Sequence, residues 1–98
     1  MDGANVAKAP KVSGRRFPIR DSAAIRALAF NVRKLRKARK WSQGELAAEV
    51  DLTQDMISLI ENRRSNPTIL TIEQIADACG VPLADLFEAP ARPPRSKG

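Results

Sequence analysis

Histidine is absent from the 98 residues, and cysteine occurs once, at Cys79. One cysteine allows no internal disulfide, and without histidine a mixed Cys/His zinc site is excluded. Cys79 is expected to act as a small buried hydrophobe. The chain also lacks any run of 18 or more apolar residues, and its opening residues lack the apolar stretch of a secretory signal. A soluble, cytoplasmic protein is expected, with no membrane partner. Between residues 21 and 89 there is no strand-type alternation, internal repeat or low-complexity segment. Catalytic groupings are missing as well. There is no histidine base, no carboxylate pair at a useful spacing, no glycine-rich phosphate loop and no nucleophile with an orienting partner. Neither enzymatic activity nor a cofactor is expected.

What the chain does have is positive charge, +6 in net. Its distribution is uneven. Residues 1–20 carry Lys8, Lys11, Arg15, Arg16 and Arg20 against Asp2, and Arg92, Arg95 and Lys97 lie near the other end. In between, a basic block running from Arg26 to Lys40 precedes nearly all the acids. Basic composition suits nucleic acid, but by itself it is equally consistent with a solvated, ion-screened surface.

Residues 1–20 and the closing "PARPPRSKG" mix Gly, Pro and charged residues without a period, which predicts flexible basic tails around one domain at 21–89. Asp21 or Ser22 can cap a first helix in which Ile25, Leu28, Val32 and Leu35 recur at spacings of three and four, ending near Arg39. Ser42 followed by Glu45 forms a capping box that starts a second helix, 42–50, with Leu46, Ala47 and Val50 as its stripe. After a turn at Asp51 and Leu52, Thr53 caps a third helix, 53–62, with Ile57 and Ile60 facing inward. Thr68 caps a fourth helix that places Ile69, Ile72, Ile75, Ala76 and Cys79 on one side and leaves through Gly80. Pro82 opens a short fifth, with Leu83, Leu86 and Phe87 apolar. The expectation is an all-α domain of five helices.

Two helices across a turn this short have the outline of a helix-turn-helix, although any helical hairpin shares it. The stretches "VRKLRKARKWSQGELA", "ISLIENRRSNPT" and "IADACGVPLADLF" add more, in composition and separation alike. In these the chain resembles the Cro and phage-repressor type of helix-turn-helix regulator, the XRE family, over about 60 of the 98 residues. The resemblance implies a phage-repressor-like DNA-binding domain in which residues 53–62 are the recognition helix.

With Ile57 and Ile60 inward, Asp55, Ser58, Leu59 and Asn62 project roughly opposite, and Gln54 lies to one side. A polar outer face also suits ordinary solvation. The resemblance implies more for it: base contacts from Gln54, Asp55, Ser58 and Leu59, with Leu59 limited to touching a thymine methyl. It implies phosphate contacts from Gln43 at the start of the second helix, and from Asn62, Arg63, Arg64, Ser65 and Asn66 in the loop. Met56 is as well suited to a partial core as to contact. Arg36 and Glu61 each sit four residues from a stripe position, and the resemblance implies a structural ion pair between them. Two departures stand out. Asp51 occupies a turn position where the family most often has glycine, and Phe30 and Leu70 fall where polar residues are usual.

The function implied is a sequence-specific regulator that binds double-stranded DNA as a homodimer at a palindromic operator, with helix five, Leu70, Leu83 and Phe87 as candidate interface. No appended sensor domain is expected. The alternative keeps the fold but makes it an antitoxin or adaptor, its partner a toxin or the transcription machinery, met through Glu73, Asp77, Asp85 and Glu88. The basic arm suits either contact with DNA or a solubilising tail.

Overall fold

A computed structural model describes residues 18–90 of the chain. The tails expected at 1–20 and 90–98 lie outside the described residues except for 18–20 and 90. Within them are four α-helices, α1 (Ala23–Ala38), α2 (Gln43–Glu49), α3 (Gln54–Glu61) and α4 (Ile69–Cys79), followed by a 3-10 segment, Leu83–Phe87. No strand occurs among the described residues.

Each α-helix starts at a hydroxyl. Ser22 Oγ accepts from the Ile25 N–H (3.3 Å), Thr53 Oγ1 from Met56 (3.1 Å) and Thr68 Oγ1 from Thr71 (3.1 Å). Asp21, the other candidate cap of α1, instead pairs with Arg26 at 2.6 Å. The Ser42–Glu45 capping box closes in both directions: Glu45 N–H donates to Ser42 Oγ (3.0 Å) and Ser42 N–H to Glu45 Oε1 (2.7 Å). Such caps satisfy amides that a helix leaves orphaned, each worth about 1 kcal/mol.

The exits share a device that the sequence displays only once. Lys40, Asp51, Arg63 and Gly80 all take left-handed backbone, with φ between 57° and 71°. After α1, α2 and α3 the next amide bonds back across the left-handed residue: Trp41 N–H to Arg36 O, Leu52 N–H to Ala47 O, and Arg64 N–H to Leu59 O (3.1, 2.9 and 2.8 Å). This closes the last turn and satisfies carbonyls that would otherwise be left over. It also makes the α2–α3 turn tight enough to set the two helices against each other. A side chain at such a φ is strained, less so for Asp than for most. Replacing Asp51 by valine is therefore expected to cost about 1–2 kcal/mol, while glycine should be neutral or slightly stabilising. Thermal midpoints of the two variants check this; a valine variant as stable as the parent would show that the turn carries no strain.

The core is one cluster. Leu28 and Val32 of α1, Leu46, Ala47 and Val50 around α2, Ile57 and Ile60 of α3, Ile72, Ile75, Ala76 and Cys79 of α4, and Leu86 pack together. Val32, Leu46, Ile57, Ile75 and Leu86 are sealed from solvent; each such burial contributes about 1.5–3 kcal/mol. Ile69 corrects the expected α4 stripe, since it is 59% exposed. It occupies the first position of α4 and lines an open hollow with Ile25, Leu28, Ile72 and Phe87 rather than joining the core.

The short helix expected after Pro82 takes 3-10 form, with Asp85 N–H bonding back to Pro82 O (2.9 Å). Its polar anchor is Asn31, buried on α1, whose Nδ2 donates to Leu86 O (3.0 Å) and Glu88 O (2.9 Å). Two carbonyls of a short segment are thus satisfied by one side chain, which fixes Leu86 in the core.

Candidate nucleic-acid interface

With Ile57, Ile60 and Glu61 held inward, α3 presents its other side chains toward the surface. Gln54 and Asp55 are exposed, Ser58 and Leu59 half-buried, and Asn62 exposed just beyond the helix. Met56 is 40% exposed and takes no place among the core residues. Asn62 folds back on the helix it caps, its Nδ2 donating to Ser58 O at 2.8 Å and lying 3.3 Å from Ser58 Oγ. Arg63, Arg64 and Ser65 continue the surface as half-buried residues, with Asn66 exposed. The result is a largely polar face on α3 and its following loop, with Met56 and Leu59 as its apolar members.

The start of α2 lies beside the start of α3. Gln54 Oε1 lies over Gly44, where a Cβ would meet it at 3.7 Å. Gln43 is half-buried, and its Nε2 donates to Glu61 Oε1 at 3.1 Å. An ionised carboxylate can only accept, so this contact orients the Gln43 amide with nitrogen toward Glu61. One N–H is used, which leaves the second and the carbonyl oxygen for another partner.

Glu61 joins the elements from below this surface. Arg36 meets it in a fork, Nε to Oε2 at 2.7 Å and Nη2 to Oε1 at 2.9 Å. Arg36 Nη1 also donates to Trp41 O (2.8 Å), and Arg33 Nε approaches Oε1 at 3.5 Å. The Glu61 side chain has no solvent exposure. Burial alone would push its carboxyl pKa up, but hydrogen bonds from Arg36 and Gln43, the Arg36 charge and the Arg33 contact together hold it below the ordinary value. The Arg36 guanidinium is raised in turn by its bond to Glu61, against the opposing effect of burial. A carboxylate at the last position of α3 thereby ties that helix to α1 and to the first residue of α2.

Three residues, Gln43, Asn31 and Arg39, make contacts that sequence reasoning does not reach. The Gln43–Glu61 bond carried no signal, because residues 18 apart show no local pattern. Asn31 does carry a local signal, since it lies three residues after Leu28 on the edge of the apolar stripe. Arg39, read only as part of a basic block, donates to Cys79 O at 2.9 Å and stacks over Trp41, 5.3 Å from the ring centroid. It thus joins the ends of α1 and α4. Cys79 is buried, and that burial raises its thiol pKa. No helix among the described residues is long and apolar enough to cross a membrane.

Comparison with known proteins gives this arrangement relatives. Residues 32–86 match the model of the helix-turn-helix family HTH_3. A hypothetical transcription factor of Neisseria meningitidis serogroup B is 38% identical over 71 residues, covering 71% of this chain and 67% of the relative. The crystal structure of the Neisseria hypothetical transcription factor NHTF superposes with a TM-score of 0.68 at 30% identity, covering 76% of this chain and 90% of that one. A variant of the restriction-modification controller C.Esp1396I, bound to its highest-affinity operator site, matches with a TM-score of 0.61 at 28% identity over 68% of this chain and 88% of its own. The family match takes in α2, α3, α4 and the turn that joins the first two, and on that ground the chain belongs to the XRE-type helix-turn-helix family, HTH_3.

Proposed function

We propose that this chain is a sequence-specific, DNA-binding transcriptional regulator that works in the cytoplasm as a homodimer on a palindromic operator. The observation that carries the reading is the outer face of α3, where Gln54 and Asp55 stand exposed beside Ser58 and Leu59 while Ile57 and Ile60 anchor the helix. A helix held in this way fits the DNA major groove, whose edges differ for every base pair. Gln54, Asp55, Ser58 and Leu59 are assigned to base edges. Gln43, Asn62, Arg63, Arg64 and Asn66 are assigned to phosphates on either side. The buried pair of Arg36 and Glu61 holds α1, α2 and α3 in the register these contacts need. The operator-bound controller among the similar structures supports the choice of ligand.

The dimer face is assigned to the apolar surface around the start of α4. Leu70 is 72% exposed and Ile69 59%. Beside them a groove of about 410 Å³ is lined by Ile25, Leu28, Ile72 and Phe87 among others. Helix-turn-helix dimers read half-sites about one helical turn, roughly 34 Å, apart.

Selection of bound duplexes from a random pool tests the reading. The expected product is an inverted repeat with half-sites about one turn apart, protected in a footprint by the purified protein. A pool that shows no enrichment would overturn it. The exposed acids Glu73, Asp77, Asp85 and Glu88 favour a second reading as an adaptor or antitoxin that meets a basic partner protein. A pure adaptor would leave no footprint.

A further inference from the structure

Phe30 is an aromatic that the fold leaves over. It is 46% exposed on α1 and takes no place in the core cluster. Arg26 stands four residues before it and Arg33 three after, so the three share one face of the helix. With Arg63 from the loop after α3, and with Pro90, they line a hollow of about 310 Å³. Small-molecule sites begin at about this size, about 300 Å³, and join apolar walls to a few polar groups.

Three guanidinium-bearing residues line this hollow against one carboxylate, Glu61. That carboxylate is already committed, since Arg36 takes both of its oxygens and Gln43 donates to Oε1 as well. Arg33 approaches it only at 3.5 Å and keeps half of its side chain exposed. Arg26 holds the exposed Asp21 at 2.6 Å. Among the described residues no carboxylate pairs with Arg63. The hollow thus offers surplus positive charge beside an open aromatic ring. A flat apolar body with one carboxylate complements both, because guanidinium forks fit carboxylates and rings stack on rings. A phosphate would leave Phe30 and Pro90 uncovered.

We propose that this hollow binds a small aromatic carboxylate, its ring against Phe30 and Pro90 and its charge on Arg33 and Arg63, and that the bound acid draws Arg63 away from DNA. The second half rests on the DNA-binding reading above, in which Arg63 meets a phosphate. Its backbone cannot shift to serve both ligands. The Arg63 carbonyl accepts from Arg20 N–H at 2.7 Å, and the next amide closes on Leu59 O at 2.8 Å. One guanidinium is therefore shared between two anions, and each ligand weakens the other by the same factor.

Benzoate is the probe, titrated at constant ionic strength into the full-length, isotope-labelled protein while amide resonances are followed. Saturable shifts are expected at Phe30, Arg33 and Arg63. Acetate keeps only the charge and benzyl alcohol only the ring, and benzyl alcohol should bind roughly tenfold more weakly than benzoate. Phe30→Ala should weaken benzoate roughly two- to tenfold, with its thermal midpoint and its affinity for a selected duplex unchanged. Saturating benzoate should lower the parent's affinity for that duplex roughly tenfold, and Phe30→Ala should need proportionally more benzoate for the same effect. No saturable shift, shifts centred elsewhere, or equal binding of acetate, benzyl alcohol or inorganic phosphate overturns the site; this series on the parent decides it even if the variant fails to fold. A Phe30→Ala variant that sediments differently while benzoate has no effect would give the face to a second copy of the chain, and the site falls. Benzoate bound here without weakening the duplex overturns the coupling alone. A parent that binds no duplex brings down the DNA-binding reading and the coupling with it, while the titration still decides the site.

Discussion

Replacing Glu61 by alanine is expected to destabilise the domain by about 3–5 kcal/mol, the usual result of stranding one member of a buried ion pair. Small domains are stable by only about 5–15 kcal/mol in total, so a large share of the variant would be unfolded at moderate temperature. Arg36 would keep its place among α1, α3 and the Trp41 carbonyl without an anion to meet its Nε and Nη2. Gln43 would lose the acceptor that orients its amide. Denaturant midpoints at neutral pH measure the loss. A combined Arg36→Met and Glu61→Leu variant should recover most of it, because apolar replacement of both partners removes the desolvation cost along with the attraction. A loss of only about 0–1 kcal/mol for alanine, as for an exposed pair, would show that the fork does not hold the helices.

The same carboxylate gives stability a pH dependence of known sign. Its folded pKa lies below its ordinary value of 4.5, so the unfolded chain binds its proton first as pH falls. The contribution is complete above that ordinary value and is lost as pH drops from there through the lower, folded value. Glu61→Gln should flatten the acid limb of the stability profile below about pH 4.5 relative to the parent.

Glu61 also marks where the sequence stopped being legible. Its distance of four residues from Ile57 placed it beside a buried stripe, and the ordering of hydroxyl caps and apolar spacings made all four α-helices readable. These are local signals, and caps at Ser22, Ser42, Thr53 and Thr68 express them in hydrogen bonds. Contacts between distant residues were another matter. No pattern in the chain pairs Asn31 with the Leu86 carbonyl or Gln43 with Glu61, because each depends on how helices cross. The left-handed residues divide in the same way. Gly80 announces itself by composition, whereas Lys40 and Arg63 take that backbone only because a following amide completes the helix end. Ile69 shows the opposite error: its spacing belongs to the stripe, but its position at the first turn of α4 leaves it open.

Replacing Gln54 by alanine is expected to relax sequence preference without loosening the fold. The side chain is exposed at the first residue of α3, and the cap there comes from Thr53. Surface changes of this kind stay within about 0.5 kcal/mol in stability. The amide lies over Gly44, which has no side chain to obstruct it, and an amide can both donate to and accept from adenine. Losing one such contact costs about 1–3 kcal/mol of discrimination, and on the two-fold operator proposed above the residue is met twice, so affinity should fall by about 2–6 kcal/mol in all. The loss should be confined to one symmetric pair of operator positions, seen as a motif that becomes degenerate there when duplexes are selected with the variant. Substituting Arg63 should behave differently, weakening every duplex alike and reducing the salt slope by about one, as a phosphate contact does. An unchanged motif and affinity for the Gln54 variant would remove that residue from the interface and move base recognition to Asp55, Ser58 and Leu59.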